Sequence, residues 1–107
     1  METASYEILS CHKPDGHVPF EEWLDSLDLA TAARIMLRID RLMEGNFGDH
    51  KSVAGGVIEL RIPFGPGHRV YLAVRDTQVH LLGGGNKSTQ PADIKAARQF
   101  WKNHDQD

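Results

Sequence analysis

The stretch 57-VIELRIPFGPGHRVYLAVRDTQVHLL-82 is where the hydrophobic period of the chain changes from 3.6 residues to 2. Ile58, Leu60, Ile62 and Phe64 are apolar at the even positions, with Glu59 and Arg61 between them. After Gly65-Pro66-Gly67, the apolar Val70, Leu72 and Val74 alternate with Arg69, Tyr71 and Arg75. If the loop pairs Phe64 with His68, Ile62 meets Val70, Leu60 meets Leu72, Ile58 meets Val74, and Arg61 lies opposite Tyr71. Asp76-Thr77 turns a third strand that sets Val79 opposite Val74 and Leu81 opposite Leu72. His80 and Leu82 then join the Arg/Tyr face. An antiparallel sheet can bury one face and leave the other in water, and the arginine face is the one expected to stay wet.

Upstream, Tyr6 to Leu9 reads as a short strand, followed by the turn-rich HKPDG. Pro19 suits a first helical position, with Glu21 and Glu22 in the first turn, and Phe20, Trp23, Leu24 and Leu27 fall on one helical face. Asp28 is the expected N-cap of a second helix. That helix would bury Leu29, Ala32, Ile35, Met36, Ile39, Leu42 and Met43, show Arg34, Arg38, Arg41 and Glu44 to water, and end at Gly45. Downstream, Pro91 opens a last helix with a stripe of Ile94, Ala97 and Trp101 and Phe100 alongside. The expectation is one α+β domain over 1–107, with an N-terminal helical hairpin packed on a small twisted antiparallel sheet and a C-terminal helix.

At 107 residues, 40% hydrophobic and 25% charged, the chain has room for one hydrophobic core. No apolar run approaches the roughly 20 residues of a membrane span. METASYEI lacks the pattern of a secretory signal, and the one cysteine, Cys11, cannot form an internal disulfide. These features predict a cytoplasmic protein. The net charge of −3 argues against a general nucleic-acid binder, but it is unevenly placed. Residues 1–50 carry −6, whereas residues 51–90 carry +3, compatible with one phosphate-binding face.

GGGNKSTQ is not a nucleotide-triphosphatase loop, because Asn86 separates Gly85 from Lys87. Its glycines could present N–H groups to an anion beside a helix N-terminus, though a plain connector explains them too. The six histidines show no HxH, HxxxH or HExxH spacing, so no metal and no cofactor are expected. Ser52 and Ser88 lack a nucleophile-elbow context. Trp23 and Trp101, on apolar stripes, read as core. The remaining cluster is Arg61, Arg69, Tyr71 and Lys87, with Lys51 entering the first hairpin strand. Guanidinium groups stay charged and can donate bidentately to RNA phosphates, and lysine or tyrosine can move protons when desolvated.

The stretches EGNFGDHKSV, GGVIELRIPFGPGHRVYL and LLGGGNKSTQPADIKAA resemble the HigB-like branch of the RelE/ParE toxin superfamily, over roughly residues 18–101. The resemblance implies the toxin of a type II toxin–antitoxin system, a metal-independent endoribonuclease that cuts mRNA on the ribosome and so inhibits translation. Carried over by motif, Arg69 of GHRVYL would contact the scissile phosphate, Arg61 of ELRI falls near the basic residues of the preceding strand, and Lys87 matches the basic residue after the last strand. Tyr71 completes the expected catalytic set, while Lys51, Arg75, His80 and Gln90 are expected to bind RNA. His68 and Leu72 stand where the family usually has tyrosine and phenylalanine. The implied partners are a helix-turn-helix antitoxin, the ribosome and mRNA. Two alternatives remain: a ParE-like gyrase poison without nuclease activity, which shares the fold and from which the basic and aromatic sheet face of Arg61, Arg69, Tyr71 and Lys87 discriminates, and an inactivated toxin acting through antitoxin binding and operon control.

Overall fold

The computed structural model describes residues 5–105. The start of METASYEI, residues 1–4, lies outside them. A strand β1 (Glu7–Ser10) opens the described chain, followed by helices α1 (Pro19–Asp25) and α2 (Leu29–Leu42). Strands β2 (His50–Ser52), β3 (Ile58–Ile62), β4 (His68–Arg75) and β5 (Gln78–Gly85) come next, and α3 (Gln90–Asp105) closes the chain. The strands form one sheet in the order β1-β5-β4-β3-β2. Among the described residues no helix is long and apolar enough to cross a membrane.

The expected architecture of an N-terminal helical hairpin on an antiparallel sheet is corrected on two counts. The sheet is mixed, because β1 pairs parallel to β5, Ile8 opposite Val79 and Leu9 opposite His80. The chain therefore enters through a sheet edge before any helix forms. The two helices are also not a hairpin in the packing sense: α1, only seven residues long, lies against β5. Its placement follows from Gly84, where any Cβ would collide with the Trp23 ring. A glycine there lets the indole lie directly on the strand.

Local signals behave as their chemistry dictates. Pro19 sits at the start of α1, where its missing N–H costs nothing. Asp28 caps α2, accepting from the Thr31 N–H at 3.3 Å. On α2, however, only Thr31, Ile35, Ile39 and Leu42 are buried. Leu29, Met36 and Met43 are exposed, together with Leu37. A helix crossing a twisted sheet seats a narrower stripe than its apolar positions could cover. Arg38 departs from expectation in the other direction. Its guanidinium donates to the carbonyls of Arg61, Phe47 and Asp49 at 2.6 to 2.8 Å, tying the loop after α2 to β3.

The β3–β4 register is shifted by two residues from the expected one. Ile62 pairs with His68, Leu60 with Val70, and Arg61 with Arg69 rather than Tyr71. The connecting loop is longer than a tight turn because Pro63 ends β3, and Gly65 and Gly67 take positive φ values of 61° and 77°. A two-residue shift preserves faces, so the apolar positions still point to the α1/α2 side. The β4–β5 pairing is as expected, with Val74 opposite Val79 and Leu72 opposite Leu81. Beyond it a bulge at Tyr71/Leu72 resets the register, so that Tyr71 meets Gly83 and Arg69 meets Gly85.

The sheet has a core on each face. Ile35, Ile39 and Leu42 pack with Leu60, Ile62, Val70, Leu72, Val79 and Leu81 on one side. On the other, Ala97 and Trp101 of α3 pack with Cys11, Val57, Tyr71, Ala73 and Leu82. The face expected to stay wet is therefore largely covered. The signal for this was present in Val57, Ala73 and Leu82, which share the arginine face and are fully apolar.

Candidate functional site

Arg61 and Arg69 face each other across β3 and β4, a like-charge pairing that is unfavourable unless something compensates it. The compensation is Glu59, whose side chain is fully buried. Its Oε1 lies 3.4 Å from Arg61 Nε, and its Oε2 lies 3.7 Å from Arg69 Nε. The second distance is an ion pair too long for a hydrogen bond, and Arg69 Nε has no hydrogen-bond partner among the described residues. Glu59 Oε2 also accepts from the Tyr71 hydroxyl at 3.2 Å and from Gln90 Nε2 at 2.8 Å. Burying a carboxylate is costly unless it is paired and hydrogen-bonded, and here four side chains share that task. Arg61 is additionally bridged to Asp49 at 3.8 Å.

Sequence reasoning named the four groups around Glu59 but missed Glu59 itself. An acid between two apolar residues on an alternating strand reads as solvent-facing, and only the arrival of α3 buries it. Tyr71 is 1% exposed, so its hydroxyl is part of the frame rather than the surface. Burial, with the adjacent Glu59, pushes its pKa well above the ordinary value, which keeps the phenol protonated as a donor to that carboxylate.

The other expected residues divide. Lys51 is exposed on β2, directly across from Glu59 in the register, and so stands at the outer edge of the same row. Lys87 lies on the turn between β5 and α3, its N–H directed to the Pro66 carbonyl at 3.4 Å, which sets it beside the β3–β4 loop. Arg75 is at the far end of β4, with its guanidinium 4.9 Å from the Trp101 ring. His80 is buried against Trp101, ring centroids 5.1 Å apart, and is out of reach of an RNA strand.

The three glycines of GGGNKSTQ are the end of β5 and not a loop, so their N–H groups belong to a strand and form no anion cradle. Two of them have a steric reason. Gly84 receives Trp23, and Gly85 leaves room for Asp93 and Thr89 of the α3 start. At Gly83 a side chain would meet nothing within 4 Å. The turn leading into α3 is closed on itself, since Asn86 Oδ1 accepts from the Ser88 and Thr89 N–H groups. A cavity of about 900 Å³ opens over Gly83 between β5 and α3, lined among others by Lys13, Tyr71, Asp93, Phe100 and His104.

A second cluster escaped sequence reading altogether. Cys11, His80 and His104 each bring one donor atom within 4.8 Å of the others, although they lie on β1's exit, β5 and the end of α3. No local spacing could have revealed it.

No protein-family model matches the sequence. Over 81 residues the chain is 53% identical to an uncharacterized protein of Haemophilus influenzae, covering 74% of this chain and 82% of that protein. The two belong to one family. At that identity and coverage the relative shares the fold described here.

Proposed function

We propose that this chain is the toxin of a type II toxin–antitoxin pair, of the HigB-like kind within the RelE/ParE superfamily, and that it cuts mRNA on the ribosome. The observation that carries the reading is the Arg61–Arg69 pair held side by side on buried Glu59. Both guanidiniums lean on one carboxylate, and with the Arg61 side chain 36% exposed, donors remain at the surface that suit an anionic ligand with two negative oxygens. The scissile phosphate of RNA is such a ligand, and its pentavalent transition state carries more charge than the ground state, which is where fixed donors accelerate a reaction.

In this reaction the 2′-hydroxyl gives up its proton as its oxygen attacks phosphorus, the bond to the 5′-oxygen breaks and that oxygen takes up a proton, and a 2′,3′-cyclic phosphate remains. Arg61 and Arg69 would stabilise the phosphorane, and Lys87, flanking the same end of the sheet, adds positive charge. Glu59 is a positioning residue: its lone pairs are committed to Tyr71, Gln90 and the arginines, leaving it no proton-transfer role. Tyr71 and Gln90 orient Glu59 in turn. The exposed apolar positions Leu29, Met36 and Met43 recur every seven residues along one side of α2, a surface for an antitoxin to cover. The acidic first half of the chain and basic middle segment suit a protein that meets RNA on one face only.

The test is a short pulse of expression in bacteria, followed by mapping of new mRNA ends against ribosome positions. The reading expects ends clustered within translated frames at the ribosomal A site. Growth arrest with intact mRNA and accumulating DNA breaks would replace it with gyrase poisoning. Unimpeded growth with folded protein would make this chain an inactive form.

A further inference from the structure

The Cys11, His80 and His104 cluster is not needed for any step above and is not explained by packing alone. Cys11 is 3% exposed and His80 is 7% exposed, so two groups able to titrate have been taken out of water together. Cys11 Sγ lies 3.8 Å from His80 Nδ1, whereas His80 Nε2 is buried without a hydrogen-bond partner among the described residues. His104, half-buried, stacks on Trp101 with ring planes 25° apart and closes the cluster from the solvent side.

We propose that Cys11, His80 and His104 bind one divalent transition-metal ion of the zinc type. A tetrahedral ion with a metal–sulfur distance near 2.3 Å and metal–nitrogen distances near 2.05 Å places sulfur and nitrogen about 3.6 Å apart and two nitrogens about 3.3 Å apart. The Cys11–His80 pair already stands close to that spacing. His104, whose donor atom lies within 4.8 Å of the other two, must approach by up to about 1.5 Å, and it belongs to the last turn of α3. Thiolate with two imidazoles is a donor set that favours zinc over magnesium or calcium. Three protein ligands leave a fourth position, and because His104 also lines the cavity over Gly83, that position can be filled by water.

Binding replaces the thiol proton by the metal and releases that proton to solvent. Without the ion, burial pushes the Cys11 thiol up to about 11, with Arg75 opposing the shift, so the group is S–H at neutral pH. Arg75 and Glu7 are the charged groups that face the cluster. The guanidinium opposes a dication but favours the thiolate formed with it, and Glu7 offsets part of the charge. The ion would tie the exit of β1, the middle of β5 and the last turn of α3 together.

The experiment titrates cobalt(II) into the full, metal-free chain and follows absorbance. The expected result is one equivalent bound, with a thiolate-to-cobalt charge-transfer band and the strong visible bands of a four-coordinate ion, both displaced by zinc. Cys11→Ser should abolish the charge-transfer band. His104→Ala, at a half-buried helix end, should weaken binding by more than the roughly 100-fold that loss of a merely supporting group can cause. His12→Ala, an exposed neighbour outside the cluster, should change nothing. Zinc should raise the melting temperature of the wild type and not of His104→Ala. Folded wild type without the charge-transfer band, or equal binding by wild type and His104→Ala, would overturn the proposal.

Discussion

At the scale of single residues, Glu59 governs the site. Removing one member of a buried ion pair typically costs 3–5 kcal/mol, because the partner charge is left uncompensated. Glu59→Gln keeps the shape and loses the charge, and should destabilise the protein by about 3 kcal/mol in urea unfolding. A change under about 0.5 kcal/mol, the ordinary range of a surface substitution, would show that the arginines do not depend on it. Tyr71→Phe separates frame from chemistry. Loss of one hydrogen bond to Glu59 should cost about 1 kcal/mol of stability and less than about tenfold in cleavage rate. A fall of 10² or more, of the order seen for a lost proton-transfer group, would place Tyr71 in the chemistry after all.

At the scale of elements, caps and periods carried most of what could be read in advance. Pro19, Asp28 and the change to alternation at Val57 each act through their immediate neighbours, so α1, α2 and the β3–β5 meander were legible. The parallel pairing of β1 with β5 was not, because it joins Ile8 to Val79 with no local consequence for either segment. Burial of the arginine face by α3 was also hidden, and with it the role of Glu59. The Asp28 cap makes a prediction at this scale. Hydrogen bonds from Thr31 hold its carboxyl below the ordinary value of 3.8. Its charge therefore stabilises the folded state above that value, and the contribution is lost as pH falls through the lower folded value. Asp28→Asn retains a capping oxygen without the charge. The melting-temperature gap between wild type and Asp28→Asn should be present at pH 7 and should narrow under acid conditions; a gap independent of pH would mean the charge contributes nothing.

At the scale of the whole molecule, an acidic protein places Arg61, Arg69 and Lys87 at one end of one sheet face. Lys87 belongs to that end and Lys102 to the exposed side of α3. Lys87→Gln should therefore slow cleavage more than Lys102→Gln, and the difference should survive added salt that screens long-range attraction. Equal losses from the two at both salts would reduce Lys87 to a general charge. The account as a whole stands on chemistry at Arg61 and Arg69, and cleavage of mRNA on programmed ribosomes by wild type and Arg69→Ala tests it most directly. Arg69→Ala leaves Val70 and Leu72 in place, so the variant can be compared once circular dichroism shows it folded. The expected result is wild-type cleavage leaving a 2′,3′-cyclic phosphate or 3′-phosphate, slowed about 10²–10³-fold in Arg69→Ala. Intact mRNA with the wild type, or a folded Arg69→Ala protein that cuts at the wild-type rate, would contradict it.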